Sequence, residues 1–195
     1  IAMTCLFGCY LGMDIATQLQ GNVGAVGARR MVSSTSKMKM FLCDVGIAFA
    51  VDFVVSVLLM CYMRFVLKLE IGNDWPRMIL IAFVGCLMGV AIGVWVGSMT
   101  RIGEGVKTGI LTLTGLFSSF LSGLMISDIK GVLEQSCPII NRINPASLIT
   151  DALYSITMFP DDARFIRDIV TLVALALTFF GTAFYKMRRV RYDSI

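Results

Sequence analysis

The sequence predicts an all-α fold: one domain over residues 1–195, built as a polytopic bundle of membrane helices with five spans present and a sixth missing before them. Three observations predict it. Apolar residues make up 57% of the chain against 15% charged, and mean hydropathy is +0.81, outside the range of soluble globular domains. The apolar residues fall in runs close to the roughly 20 that a helix needs to cross a hydrocarbon core about 30 Å thick. Lysine and arginine gather in alternate connecting segments.

The first run covers residues 1–19. It begins without an initiator Met and without a basic flank, so a mid-chain start suits it better than a secretory signal, and one upstream helix is expected. The loop over residues 20–40 carries Arg29, Arg30, Lys37 and Lys39 and no acid. Four more runs follow, at 41–67, 78–99, 109–127 and 168–187, each bounded by charges or turn residues. The tail adds Lys186, Arg188, Arg189 and Arg191. The positive-inside rule puts loop 20–40 and the tail in the cytoplasm, and alternation adds the loop from Thr100 to Thr108 with Arg101 and Lys107. Residues 68–77 and 128–168 are then outside, the latter with six acids against four bases. An odd number of spans ending inside places Ile1 outside, which again asks for a missing helix. The expectation is a multi-pass protein of the cell (inner or plasma) membrane with its C-terminus in the cytoplasm.

Between the last two runs lies an external hairpin, 128–162. The 13 residues from Ser147 to Phe159 are too apolar for a water-facing loop and about a third too short to span. Asn144 before Pro145 is a good helix start, a capping side chain followed by a ring preset for the first turn. Leu148, Ile149, Ala152, Leu153, Ile156 and Phe159 recur at helical spacing, with Ser147, Thr150, Asp151 and Ser155 mostly opposite. Pro160 stops this helix, and Asp161 or Asp162 can cap the next. Upstream, Ile129, Val132 and Leu133 form a shorter amphipathic piece that Pro138 ends. Two short helices joined by a turn read as a re-entrant hairpin, covered by protein or a wet cavity. A helix lying flat in the interface is the other reading. In both the segment can act as a lid, with Asn144, Pro145, Leu148, Asp151 and Leu153 as its gate residues.

Inside the runs, Gly85, Gly89, Gly93 and Gly97 recur every four residues and lay a smooth groove along one helix face. The groove serves either a sliding or subunit contact or close packing within one subunit. Asp52 lies near the midplane of its run and faces either a translocation path or a Ser or Thr of a neighbouring helix. Asp14 lies nearer the cytoplasmic end and also belongs to the candidate path. Cys5, Cys9, Cys43, Cys61 and Cys86 sit in apolar runs and read as small packing residues, while Cys137 falls in a loop. The chain has no His and no paired-Cys pattern, which leaves zinc sites and Ser/His or Cys/His nucleophiles without a chemical basis. The string GEGVKTG at 103–109 has Val106 where a phosphate-binding loop needs Gly before its Lys. No catalytic residue, bound cofactor, metal or nucleic-acid partner is expected on this chain.

As an ordered set, the basic loop GNVGAVGARRMVSSTSKMK, the small-residue middle helices, the external INPASLITDALY segment and the basic tail resemble the membrane subunit of ABC-2 type (type V) exporters, and the resemblance covers the entire chain. It implies that residues 1–195 are helices two to six of six, lacking an amphipathic N-terminal helix and helix one. It also implies a coupling helix within Gly21–Ser36, with Gly21, Gly24, Gly27, Ser33 and Ser34 in the loop and Arg29 and Arg30 as basic contacts. The implied partners are a separate cassette ATPase that carries ATP and Mg, a second permease subunit forming a homodimer, and the lipid bilayer. A hydrophobic or amphipathic substrate would move outward by alternating access. The chain departs from typical relatives in Gln18 and Gln20, where an acid often precedes the loop, and in Ser33 and Ser34, where Pro is common. Two rival readings are a non-transporting membrane scaffold or assembly subunit and an ion-coupled transporter using Asp52; the sequence shows no inverted repeat to favour the second.

Overall fold

A computed structural model describes residues 1–18, 37–68, 74–100, 102–125, 131, 138–157 and 161–189. Its elements are α1 (Ala2–Gln18), α2 (Lys37–Phe65), α3 (Trp75–Gly97), α4 (Glu104–Leu121), α5 (Pro138–Ile143), α6 (Pro145–Thr157) and α7 (Asp162–Arg189), with no strand among the described residues. Three helices are long and apolar enough to cross a membrane by length and composition: Met38–Phe65, Trp75–Gly97 and Asp162–Met187. α1 has 17 residues, about 25 Å of helix, and α4 has 18 and opens with Glu104 and Lys107 in its first turns. Both run beside the longer helices.

Local chemistry sets the ends. Asp74 precedes α3 with Pro76 in its first turn, and at the other end Ser98 turns its N–H to the Val94 carbonyl and its Oγ to that of Trp95, 2.6 Å away. The sequence expectation of a span at 109–127 is corrected: α4 starts five residues earlier and stops at Leu121. Gly123 causes the stop, with φ 76° allowing Leu124 N–H to reach back to the Ser119 carbonyl. Pro138 opens α5, while Ile129, Val132 and Leu133, expected to form the piece before it, lie outside the described residues.

α3 is the axis. It contacts α1, α2, α4, α6 and α7, and its buried residues fall on every side of the helix. α2, α4 and α7 instead carry large apolar side chains on the outside, including Leu58, Phe117 and Leu177, all more than 60% exposed. An apolar exterior continuous along three helices is a lipid-facing surface.

The helices alternate in direction. At one end Ala16 of α1, Phe41 and Ala48 of α2, Val94 of α3 and Ala183 of α7 pack together. At the other, Met60 near the end of α2, Met78 and Ala82 at the start of α3, Ile1 and Ile156 of α6 form a second cluster. The flanks of loop 20–40 and the C-terminal end of α7 therefore share one end of the bundle, and α5 and α6, joined through Asn144, lie toward the opposite end.

Candidate functional site

At the end that carries the basic segments, α1 and α2 are the two arms of loop 20–40. Gly21, Gly24, Gly27, Arg29, Arg30, Ser33 and Ser34 lie outside the described residues. The arms themselves are anchored. Lys107, only 1% exposed, donates from Nζ to the Gly97 carbonyl at 3.0 Å and lies 3.5 Å from Thr17 Oγ1, so one ammonium joins α4, α3 and α1. A cation at the carbonyl end of a helix meets the negative pole of its dipole. Lys186 stacks over the Trp95 ring at 5.1 Å and brings α7 to the same end. Sequence reasoning gave Lys107 only a topological role. The signal for more was a lysine one turn into an apolar helix that follows a short connection from another helix's carbonyl end.

Along the middle, the four glycines of α3 meet α1 of the same chain. A Cβ at Gly89 would overlap the Cys5 carbonyl oxygen, and one at Gly93 the Cys9 carbonyl. At Gly97 it would lie 2.6 Å from Ala16 Cβ, and at Gly85 3.2 Å from Cys5 Cβ and 3.3 Å from Ile149 of α6. The fit is mutual, since a Cβ at Gly12 of α1 would strike the Val90 carbonyl. Backbone thus seats on backbone over about three turns, and of the two sequence readings of this groove the contacts are those of packing within one subunit.

Asp52 projects from α2 against Gly8 of α1, where an added Cβ would overlap its Oδ2. It is 5% exposed, and Oδ2 has no hydrogen-bond partner. One turn further on α2, Ser56 Oγ accepts from Cys86 Sγ at 3.3 Å and contacts Cys5 Sγ at 3.7 Å, a polar knot joining three helices. Cys5, Cys9 and Cys86 are buried packing residues, whereas Cys43 is exposed. Asp14 is exposed and accepts from Gln18 Nε2 at 3.1 Å, away from Asp52.

At the opposite end, Asn144 caps α6, its Oδ1 accepting from Ala146 N–H at 3.1 Å. Its Nδ2 donates to the Ser118 carbonyl at 2.8 Å and ties α6 to α4. Asp161 caps α7 through Ala163 and Arg164 N–H, and Arg77 of α3 bonds Asp162 at 2.6 Å. Leu148 is buried, Pro145, Asp151 and Leu153 are half-buried, and Ile149 is wholly enclosed. Ser147, Thr150 and Ser155 are buried as well, with Thr150 and Ser155 donating to carbonyls one turn back. α6 touches α1, α3, α4 and α7, while Tyr154 on it stays exposed.

Fold and site define a multi-pass membrane protein with an apolar exterior and a tightly knit helical interior. The chain belongs to the ABC-2 family of transporter proteins, whose model matches residues 1–185. Among curated proteins and solved structures nothing matches. Membership makes the chain a membrane permease component, of a kind that works with a cassette ATPase and is not itself catalytic.

Proposed function

We propose that this chain is the permease subunit of an ATP-driven exporter, moving a hydrophobic or amphipathic substrate outward through a path formed with a second, identical subunit. The positive-inside rule supports a cytoplasmic position for loop 20–40 and the tail, with the α5–α6 hairpin outside. The cassette ATPase binds the loop over 21–36, with Arg29 and Arg30 as contacts and ATP and Mg held by that partner. One observation carries this reading: α1, an arm of the loop, is seated backbone to backbone on α3, and α3 touches Ile149 of the hairpin at Gly85. A push on the loop that differs between the two states of the ATPase then tilts α1 and α3 together and shifts the hairpin, which gates the exit with Asn144, Pro145, Leu148, Asp151 and Leu153. In this conformation Asp52 is held against Gly8, consistent with an opening of the path that separates α1 from α2.

The test is the ATPase rate of the co-purified complex. Reversing charge with Arg29→Glu and Arg30→Glu lowers it to the rate of the ATPase alone without unfolding the permease. An unchanged rate would favour a scaffold.

A further inference from the structure

A cavity of about 260 Å³ opens where the hairpin meets the start of α7, lined by Asn141, Arg142, Leu148, Asp151, Arg164, Arg167 and Asp168. Its charges and its unmet hydrogen bonds call for two different groups in one ligand. Three guanidiniums on this wall present forks of N–H donors that match the oxygens of a phosphate or carboxylate. Arg167 spends two of its donors on a single oxygen, reaching Asp168 Oδ1 at 3.2 and 3.1 Å. The other oxygen, Oδ2, is buried without a partner, in a residue only 2% exposed. Asn141, 5% exposed, has neither its amide oxygen nor its amide nitrogen bonded. Buried polar atoms in folded proteins are nearly always paired, so unpaired atoms on two residues that line one cavity are an exception that needs a cause. Ile139 and Ile143 of α5, beside Asn141, are more than half exposed, which is the character of a segment bathed in acyl chains.

We propose that this cavity binds the headgroup of an amphiphile in which a phosphodiester stands next to a hydroxyl or ammonium donor. The phosphate meets Arg142 and Arg164, the donor satisfies Asp168 Oδ2 and the Asn141 carbonyl, and the acyl chains lie along α5. A choline headgroup has the phosphate and lacks the donor. The site does not rest on the transport reading, because every group in it belongs to one end of this chain and binding is measured without ATP.

The test uses the full chain, purified and delipidated in detergent, with phosphatidylglycerol, phosphatidylethanolamine or phosphatidylcholine added at equal concentration and bound lipid counted by native mass spectrometry. One charge-assisted hydrogen bond made or lost corresponds to about tenfold in affinity, so the glycerol and ethanolamine lipids bind about tenfold more tightly than the choline lipid. Arg142→Gln with Arg164→Gln weakens all three. Asn141→Leu removes the discrimination among the three lipids, and Asp168→Asn gives the same result should the leucine variant fail to fold. Glycerol phosphate in solution separates the sources of the ligand: competition assigns the site to a free phosphate ester, and its absence assigns it to a lipid of the bilayer. Equal affinity for the three lipids, or discrimination that survives both the asparagine and the aspartate variants, would overturn the proposal and leave the cavity to water.

Discussion

A methyl group at residue 93 has nowhere to go, because the Cys9 carbonyl of α1 occupies its place. Gly93→Ala forces the two helices apart and costs about 1–3 kcal/mol, the usual penalty of overpacking. At Gly109, on the outer face of α4, an added Cβ meets nothing within 4 Å. There alanine is neutral or gains roughly 0.5–1 kcal/mol from the reduced freedom of the unfolded chain. In thermal melts in detergent Gly93→Ala unfolds below the parent and Gly109→Ala at or above it. Gly8 and Asp52 form the corresponding pair between α1 and α2. Gly8→Ala destabilises by pressing on the carboxylate, and Asp52→Ala removes the obstacle, so the double variant is more stable than the sum of the singles by about 0.5–3 kcal/mol. Additive melts would mean that Asp52 turns elsewhere, toward the path that its sequence position first suggested.

Among the elements, α6 separates pattern from packing most clearly. Its spacing of apolar residues, its Asn144 cap and its Pro145 start were all legible in the sequence, and the helix forms over Pro145–Thr157. Thr150 and Ser155, on the polar side of that pattern, are buried because their hydroxyls satisfy themselves on carbonyls of the same helix, and so need no water. A linear pattern records polarity and leaves out this local pairing. The end of α4 escaped for a related reason: apolar residues continue past Gly123, and only its positive φ marks the stop. The period-four glycines could be read as a groove, but their partner could not, since any small-residue helix would suit. Ile149 tests the placement of α6. With no exposed surface and a contact at Gly85, Ile149→Ala costs about 2–5 kcal/mol in thermal unfolding. A loss below about 0.5 kcal/mol, the scale of surface substitutions, would put α6 on the membrane surface instead.

For the whole molecule, the alternating helices bring the two flanks of loop 20–40 and the C-terminal end of α7 to one face and α6 to the other, with α3 connecting them. The proposal treats α1 and α3, packed backbone to backbone, as one mechanical body between the loop that it gives to the ATPase and the segment that it gives to the exit. On that proposal α1 and α3 transmit the push, while α2, α4 and α7 carry the exposed apolar side chains. The most direct measurement locks the two helices together. A cysteine at position 85 faces native Cys5 with Cβ atoms 3.2 Å apart, a few tenths short of the usual disulfide spacing of about 3.5–4.5 Å. In the assembled transporter, oxidising Gly85→Cys leaves ATP hydrolysis unchanged if α1 and α3 move as one body. Hydrolysis that stops on oxidation and returns on reduction would show that the helices slide past each other during the cycle, and would contradict the account.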